Sequence, residues 1–395
     1  MSDGILLEKT AAVPPNQVER SFRRTGLPAP RPDPRAYRLN RWIALMTSPR
    51  RLLNYLRYVR SKRAPHVHHL PIKLDIENVS RCNFHCTMCQ VSDWPKLQRA
   101  ADMSFEDFKR LIDSQYGLIE IKLQGMGEPT LGGDTYFAMI RYARSKHIWV
   151  RTTTNASLLH LNENYKKLID SGVNEVQISM DGATKATYEK IRRGGTFERV
   201  ADNCRLINGY VNSNGLLRTR MWVVLQRDNI HEFFEFIDLG HHLGFKRVSY
   251  AMNLNDWGQD AWQAKNQAVT VEDHVSSEMA HEAIARGSRL GIDVGFWNNT
   301  SKYNAGNSKH LCPWPFERAY VSSDLRIVPC CMIGNPQISE LGDARQLTAE
   351  WNSTTYQEFR RAHLEGRIPR VCQGCYEPRQ PAPQDAHEPT DAQRK

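Results

Sequence analysis

Three cysteines stand in one short stretch of the chain, SRCNFHCTMCQ, at Cys82, Cys86 and Cys89. No further cysteine follows until Cys204. A structural zinc site or a ferredoxin cluster is normally closed by four protein ligands. A local group of three thiolates therefore predicts a metal centre that keeps one coordination position for another ligand. His85 lies in the same stretch and would be the fourth ligand of a zinc site, but we interpret it as a loop residue.

The segments around this stretch alternate between short apolar or β-branched runs and amphipathic helical stretches, from IKLDIE to KRVSYAM. The pattern contains six strand–helix units, which predicts a parallel sheet with crossover helices. Six units are two short of a closed eight-stranded barrel, so we expect a curved, partly open (β/α)6 barrel of the α/β class. Active sites in such folds lie at the carboxyl ends of the strands. The Cys82 loop directly follows the first strand and is therefore expected at that end.

The spacing C-x-x-x-C-x-x-C after the first strand of a six-unit β/α chain resembles the radical S-adenosylmethionine (SAM) superfamily. The resemblance implies that Cys82, Cys86 and Cys89 hold a 4Fe-4S cluster whose fourth iron binds the amino and carboxylate groups of SAM. Thiolates suit such clusters. It further implies reductive cleavage of SAM to a 5′-deoxyadenosyl radical that abstracts hydrogen from the substrate, with electrons from an external donor of the flavodoxin or ferredoxin type.

Further segments at the ends of predicted strands resemble the SAM-binding segments of this superfamily. The glycine-rich run after LIEIKLQ would bring its backbone to the SAM amino group, because glycine allows close approach. Arg192 would bind the SAM carboxylate, since a guanidinium can bond both oxygens. A helix-capping turn for Asp181 and a surface charge for Arg192 are the alternatives. The residues implied to bind SAM are Gly125, Gly127, Glu128, Asn155, Ser179, Asp181, Arg192 and Leu225.

A second group of cysteines lies near the end of the chain: one cysteine, a predicted β-hairpin that returns another, and C-x-x-C after a predicted helix, AEWNSTTYQEFRRAHLEG. This layout resembles the twitch module, a shortened SPASM extension of radical SAM enzymes, and implies a small α+β domain with an auxiliary 4Fe-4S cluster. A four-cysteine zinc site is the alternative. The hairpin turn has Asp324-Leu325 where the family usually has Asp-Gly. The implied cluster ligands are Cys312, Cys330, Cys372 and Cys375.

Two cysteines remain outside these sets. Cys331 is adjacent to Cys330, and two neighbouring thiolates cannot easily both reach one edge of a cluster, so we expect Cys330 to be the ligand. Cys204 lies in the middle of a predicted helix. Free cysteines are often buried, so we expect Cys204 to be a small core residue rather than a catalyst.

Composition bounds the class of protein. The chain has 395 residues, 40% hydrophobic and 24% charged, which indicates a globular protein with one large and one smaller domain. No run of about 18 apolar residues predicts a membrane span, and the N-terminus lacks a secretory pattern. We therefore expect a cytoplasmic protein, in which the nine cysteines are reduced.

The net charge of +10 arises largely between Asp33 and Asp75, where ten lysines and arginines occur without an acidic residue. The segment RRLLNYLRYVRSKR predicts an amphipathic helix, with an apolar face that includes Leu52, Leu53 and Leu56. We interpret it as a helix packed on the outside of the main domain with a solvated basic face. An anionic substrate, a membrane surface or a nucleic acid are the alternatives.

We therefore expect a basic, partly disordered extension over residues 1–70, the radical SAM barrel over 71–304, the cluster domain over 305–378 and a disordered tail over 379–395. The main functional hypothesis is dehydrogenase-type oxidation of a sugar-like or other small polar metabolite. Peptide or protein maturation and radical epimerisation are the alternatives, although maturases often have a winged-helix domain that residues 1–70 do not resemble. Nucleic-acid modification is less favoured because no RNA-binding module is evident. A non-enzymatic iron–sulfur scaffold would not cleave SAM.

The substrate itself is not specified by the sequence. The loop NLNDWGQDAWQ follows the sixth predicted strand and offers polar and stacking groups where substrate is expected to enter. Glu77, Asp256 and Tyr250 are conceivable acid–base groups, and nothing in the sequence distinguishes among them.

Overall fold

A ten-stranded sheet forms the framework of the computed structural model, which describes residues 27–271, 274–298 and 300–377. The strands follow the spatial order β10-β9-β8-β1-β2-β3-β4-β5-β6-β7, and all neighbours from β8 to β7 are parallel. The strands are β1 Lys73–Ile76, β2 Glu120–Leu123, β3 Trp149–Thr154, β4 Glu175–Ser179, β5 Thr219–Val224, β6 Arg247–Ala251, β7 Asp293–Trp297, β8 Arg318–Val321, β9 Arg326–Val328 and β10 Gly342–Asp343.

Helices connect the parallel strands and flank the sheet. Two of them precede β1, and two more belong to the C-terminal region after β10. The helices are α1 Pro34–Met46, α2 Pro49–Arg60, α3 Phe105–Ser114, α4 Gly133–Ser145, α5 Asn164–Asp170, α6 Lys185–Ile191, α7 Phe197–Ser213, α8 Glu235–His242, α9 Asp260–Gln267, α10 Ser277–Arg289, α11 Trp314–Glu317, α12 Leu347–Glu350 and α13 Thr354–Leu364.

The predicted α/β class with a parallel sheet and crossover helices is confirmed, and β1 to β6 are the six predicted strands. A seventh parallel strand, β7, follows α10 and pairs with β6. The C-terminal region then adds β8 to the other edge of the sheet, beside β1. The sequence analysis assigned only the loop NLNDWGQDAWQ after the sixth strand and did not predict β7, whose sequence DVGFW contains aspartate and glycine, residues that are uncommon in strands. Residues 1–26 of the expected extension over 1–70 and the whole expected tail over 379–395 lie outside the described residues.

Side chains alternate between the two faces of each strand, which separates an apolar layer from a polar interior. Leu74, Ile76 and Ile121 are fully buried in one apolar cluster with Phe108 of α3 and Phe137 of α4. The alternate positions on the same strands, such as the aspartate and lysine of KLDI and EIKL, point to the opposite face. The concave interior of the partial barrel is therefore polar.

The segment before β1 covers the amino-terminal ends of the strands. The Arg220 guanidinium near the start of β5 donates to the Arg31 carbonyl at 2.6 Å, and the Tyr37 hydroxyl of α1 donates to Glu120 at the start of β2 at 2.9 Å. Behind this cover, Glu175 lies between buried arginines: Arg220 at 3.7 Å and Arg247 at 3.6 Å. The barrel is thus closed by charged side chains at the end opposite the Cys82 loop.

The C-terminal region forms the expected hairpin, with β8 and β9 antiparallel. Leu325 in its turn has a φ of +64°, a left-handed conformation that favours glycine, so the missing glycine is replaced by a strained leucine. The prediction of one continuous helix over AEWNSTTYQEFRRAHLEG is wrong. The helix breaks between α12 and α13, because the Ser353 hydroxyl caps α13 by accepting a hydrogen bond from the Tyr356 N–H.

Candidate active site

The loop with the first three cysteines lies at the carboxyl end of β1 and is anchored by backbone hydrogen bonds. The Cys82 N–H donates to the Leu97 carbonyl at 3.1 Å. The N–H groups of His85 and Thr87 donate to the carbonyls of residues 193 and 191, at the end of α6, at 3.0 Å each. The His85 side chain is exposed. The structure therefore fixes this loop between two barrel segments and leaves His85 as a loop residue.

Burial raises the pKa of all three thiols in this loop, to about 12 for Cys89. The charge of Cys86 raises the pKa of Cys89 further, and the charges of Cys89 and Cys86 raise that of Cys82. Three neighbouring buried thiolates need a positively charged partner, and an iron–sulfur cluster would supply that charge. The residues present therefore fit the cluster. In the described part of the chain, no three histidine, cysteine or carboxylate side chains are close enough to hold a single metal ion.

The glycines after β2 are explained by close backbone packing. A Cβ on Gly127 would lie 2.3 Å from the Arg81 carbonyl oxygen, and one on Gly125 would lie 2.2 Å from Cγ of Glu77. Only glycine fits at either position, because both approaches are far shorter than a van der Waals contact. The run from Gly125 to Glu128 is thereby pressed against the start of the Cys82 loop, and its predicted contact with SAM remains a prediction.

Glu128 and Asn155 lie together at the carboxyl ends of β2 and β3, with side chains engaged inside the protein. Glu128 is buried and accepts hydrogen bonds from the Thr154 hydroxyl at 2.6 Å and from the Asn155 N–H at 2.7 Å. The Asn155 side-chain amide donates to Asn83 in the cysteine loop at 3.0 Å. These two residues join the carboxyl ends of β2 and β3 to the cysteine loop, which is a positioning role.

Arg192 is paired with Asp181 within the protein. The Arg192 Nη2 lies 2.7 Å from Oδ2 of Asp181, and both side chains are buried. The other carboxylate oxygen of Asp181 accepts the Val224 N–H at 2.7 Å. Sequence analysis predicted each of these residues as a SAM contact and did not anticipate that they bind each other. Ser179 is the last residue of β4, and Leu225 directly follows β5. The Leu225 N–H donates to the Ala251 carbonyl of β6.

Arg192→Ala is expected to lower the free energy of unfolding by about 3–5 kcal/mol, because it leaves the buried Asp181 carboxylate unpaired. Chemical denaturation of the metal-free protein measures this without any cofactor. Adding Asp181→Asn to the Arg192→Ala variant removes the unpaired charge and should recover part of the loss. An Arg192→Ala protein that binds SAM poorly but unfolds like the parent would instead mean that Arg192 serves SAM and not Asp181.

The structure brings the four predicted auxiliary cysteines together. Burial raises the pKa of Cys330 well above its usual range, and the charges of Cys331, Cys372, Cys375 and Cys312 raise it further. The Cys312 N–H donates to the Tyr376 hydroxyl at 3.0 Å, and the Cys375 carbonyl accepts the Lys302 N–H at 2.8 Å. The set therefore fits a four-thiolate cluster. The bond from Cys312 to Tyr376 joins the segment of Cys312 to the C-x-x-C motif.

The loop over residues 253–259 connects the two cysteine regions. The Trp257 indole N–H donates to the Met88 carbonyl, next to Cys89, at 3.2 Å. The Asn255 side-chain amide donates to the Met332 carbonyl, next to Cys331, at 2.7 Å. The segment that we had interpreted as a substrate loop therefore holds the two cysteine regions at a fixed distance from each other.

The three acid–base candidates from the sequence are all engaged elsewhere. Glu77 is fully buried and forms an ion pair with Arg99 at 2.9 Å. The Tyr250 hydroxyl donates to the Phe233 carbonyl at 2.7 Å, on the helix-facing side of β6. Asp256 accepts the N–H of residue 258 at 2.9 Å and lies beside the C-x-x-C motif. None of the three faces the barrel interior with a free carboxylate or hydroxyl.

Sequence analysis missed the group that does face the interior, Asp75. It is 4% exposed, and within the described part of the chain no hydrogen bond or ion pair reaches its carboxylate. Burial raises its pKa, and Arg318 and Lys122 offset this only in part. Asp75 is opposite Lys122 on β2 and Tyr320 on β8 in the strand register. The alternation of charged with apolar residues in IKLDIE and IEIKLQ was the available signal.

Cys331 faces this same interior, whereas Cys330 faces the other auxiliary cysteines. Burial raises the pKa of the Cys331 thiol to about 12, and the charges of Asp75, Lys122, Lys302 and Arg318 also act on it, while its own charge raises the pKa of Cys330. We call the region of the barrel interior around Asp75, Lys122 and Cys331 the central chamber. Cys204, in contrast, is fully buried in the apolar cluster, as the sequence predicted.

Two segments of the chain match known protein families. Residues 78–240 match the radical SAM superfamily, and residues 312–376 match the SPASM iron–sulfur cluster-binding domain. The chain is a radical SAM protein with a SPASM domain. SAM, the 4Fe-4S cluster that binds it and an auxiliary iron–sulfur centre are accordingly its cofactors. The first match contains Cys82, Cys86 and Cys89, and the second contains the four auxiliary cysteines.

Two relatives illustrate the range of this radical SAM family. Mycofactocin maturase MftC of Mycolicibacterium smegmatis is 28% identical over 194 residues, 49% of this chain and 47% of MftC. GTP 3′,8-cyclase of Aliarcobacter butzleri is 33% identical over 139 residues, 33% of this chain and 42% of the cyclase. The alignments thus span about half the length of the curated relatives or less.

A solved structure shares the fold. Streptococcus suis SuiB bound to the precursor peptide SuiA has a TM-score of 0.56 at 16% identity, over 74% of this chain and 67% of SuiB. At that identity the likeness concerns the fold alone. In the described part of this radical SAM protein, no helix is long and apolar enough to cross a membrane.

Proposed function

We propose that this protein is a radical SAM maturase that abstracts hydrogen from a residue of a peptide substrate. The observation that carries the proposal is the sequence similarity to a maturase, mycofactocin maturase MftC. SuiB, which has a similar fold, has been solved with a bound precursor peptide. This favours the maturation alternative of the sequence analysis over its main hypothesis, oxidation of a small sugar-like metabolite. The proposal also covers the reaction class. Oxidation is the first candidate, and epimerisation, which is redox-neutral, is the second.

The two cysteine sets have different roles in the proposed reaction. When bound, the clusters supply the 5′-deoxyadenosyl radical at Cys82, Cys86 and Cys89 and an electron acceptor at the SPASM cysteines, with an external flavodoxin- or ferredoxin-type donor as the source of electrons. The loop over residues 253–259 keeps the sets at a constant separation. The central chamber lies on the interior face of the same sheet, so it is the place where a reacting side chain can enter.

Asp75 is the acid–base group of this proposal. An oxidation that begins with hydrogen-atom loss from carbon is completed when one proton and one electron leave the substrate radical. Asp75 has a carboxylate free of protein partners and a pKa raised by burial, both of which suit a proton acceptor. Lys122 lies beside it in the strand register and would hold an anionic group of the substrate.

Radical epimerisation is a second candidate, because the Cys331 thiol faces the central chamber beside Asp75. A thiol there can return a hydrogen atom to a substrate radical on the face opposite to abstraction. The product then keeps its mass and gains one solvent-derived hydrogen. Loss of product, with continued hydrogen abstraction, in Cys331→Ala protein would select this candidate over oxidation.

Cys372→Ala/Cys375→Ala protein is expected to bind about half the iron of the parent and still cleave SAM, because the first cysteine set is intact. Oxidised product should fall strongly, since the substrate radical has lost its electron acceptor. Iron analysis and product mass spectrometry measure both. Undiminished product formation would remove the SPASM cysteines from the reaction.

The peptide assignment is tested by following deuterium. Cells of the source organism are grown in deuterated medium, and their extract is divided into a low-mass filtrate, a retained fraction and a protease-treated retained fraction. Each is incubated with reduced enzyme and unlabelled SAM, and deuterium in 5′-deoxyadenosine is measured by mass spectrometry. The proposal predicts transfer from the retained fraction that protease treatment abolishes. Transfer from the filtrate alone would favour a small metabolite, and Cys82→Ala protein provides the blank.

A further inference from the structure

The first two helices present an exposed apolar face. We call it the hairpin face; it consists of Leu39, Trp42 and Met46 on α1 and Leu53, Leu56 and Val59 on α2. These six side chains are 37–61% exposed, and they are six of the eleven large hydrophobic side chains that are exposed in the described part of the chain. The sequence-based expectation that Leu53 and Leu56 pack inward is therefore wrong, and apolar exposure is concentrated at one place.

The exposure does not come from loose packing of the two helices. The Tyr37 ring lies 5.1 Å from the Trp149 ring of β3, edge to face. The Asn54 side chain accepts a hydrogen bond from the Leu70 N–H at 2.8 Å and donates one to the Leu70 carbonyl at 3.2 Å. The inner face of the hairpin is thus occupied by polar and aromatic anchors, and this is why the aliphatic residues between them point outward.

Positive charge surrounds the hairpin face. Five arginines on the same two helices are exposed, and no acidic residue occurs from position 34 to position 74. The exposed arginines are Arg35, Arg38, Arg50, Arg57 and Arg60. A helical surface that combines Trp and Leu with arginines and contains no acidic residue has the composition of elements that lie in the headgroup region of a bilayer.

The hairpin face lies at the end of the barrel away from the Cys82 loop. Asn40 of α1 donates to the His147 carbonyl, just before β3, and Tyr37 donates to Glu120 at the start of β2. Both contacts are at the amino-terminal ends of strands, whereas the Cys82 loop follows the carboxyl end of β1. A surface bound at the hairpin face would therefore leave the mouth of the barrel open.

We propose that the hairpin face docks this protein onto the surface of an anionic lipid bilayer. The arginines would meet acidic headgroups, and Trp42 with its aliphatic neighbours would enter the boundary between headgroups and acyl chains. A second copy of this chain is a poorer occupant, because it would place two sets of arginines against each other. A nucleic acid would pair with the arginines but would leave the six apolar side chains without apolar partners.

Co-sedimentation of the full chain with vesicles tests the proposal. The proposal predicts binding to vesicles of mixed phosphatidylglycerol and phosphatidylcholine, weaker binding at high salt, and little binding to phosphatidylcholine alone. Trp42→Glu/Leu56→Glu protein should bind the anionic vesicles at least about tenfold more weakly, since two inserted side chains are lost. Leu161→Glu/Leu206→Glu protein is the matched control, with exposed leucines elsewhere on the surface (45% and 42% exposed), and should bind like the parent.

Three results would overturn the proposal. The first is an absence of vesicle binding by the full chain. The second is a dimer of the parent, seen by sedimentation, that Trp42→Glu/Leu56→Glu protein no longer forms while vesicles stay unbound, which would make the face a contact between copies. The third is binding to an oligonucleotide as tight as binding to vesicles and unaffected by that variant, which would assign the arginines to a charged polymer.

Discussion

Replacement of Cys82, Cys86 and Cys89 by alanine is expected to halve the iron content and to abolish SAM cleavage. Anaerobically reconstituted parent protein should hold about eight irons and eight sulfides per chain, as two 4Fe-4S clusters. The triple variant should retain about four, because the SPASM cysteines are on a separate part of the chain. Iron analysis and chromatography of 5′-deoxyadenosine measure the two effects.

Cys204→Ala is the matched control for this experiment. Cys204 is also buried and its thiol pKa is also raised to about 12 by burial, but it packs in the apolar cluster. Its loss should leave iron content and SAM cleavage unchanged. About four irons and one zinc in the parent protein would show that the SPASM cysteines bind zinc, and SAM cleavage by the triple variant would refute the assignment of the first set.

Asp75→Asn is expected to lower product formation by about 10²–10⁴-fold while leaving hydrogen abstraction intact. Asparagine keeps the shape of the side chain but cannot take a proton from the substrate radical. Deuterium transfer into 5′-deoxyadenosine from the labelled substrate fraction reports abstraction, and the mass of the product reports completion. The difference between the two readouts separates a base from a residue that merely supports the fold.

Asp113→Asn provides the control, since Asp113 is an exposed carboxylate on α3 paired with Lys146 at 3.0 Å. It should change neither readout. If Asp75→Asn protein completes the reaction at the parent rate, Asp75 is not the base. If abstraction and completion fall together, Asp75 binds substrate or supports the chamber instead.

Much of the fold follows from local pattern. The alternation of apolar runs with amphipathic stretches indicated the parallel sheet, and the spacing of Cys82, Cys86 and Cys89 after the first run placed the site at the strand ends. Both signals are local in sequence, which is why they can be seen without a structure. The seventh strand was missed because aspartate and glycine in DVGFW are uncommon in strands, and its pairing with β6 shows it to be part of the sheet.

The partners of buried charges could not be predicted from the sequence. Arg192 and Asp181 each carried a plausible role toward SAM, but the short distance between them depends on how α6 packs over β4. Asp75 was hidden for the same reason, since its missing partner is a property of the barrel interior and not of IKLDIE. The outward direction of Leu53 and Leu56 likewise depends on the hydrogen bonds between Asn54 and Leu70, a residue that lies outside the helix.

The product of SAM cleavage tests the central claim most directly. Fully loaded parent protein, reduced anaerobically with dithionite and supplied with SAM, is analysed by mass spectrometry for its adenosyl products. The account predicts 5′-deoxyadenosine and methionine in equal amounts, lost in Cys82→Ala/Cys86→Ala/Cys89→Ala protein. S-adenosylhomocysteine as the main product would contradict it, because the protein would then transfer a methyl group rather than generate a 5′-deoxyadenosyl radical for hydrogen abstraction.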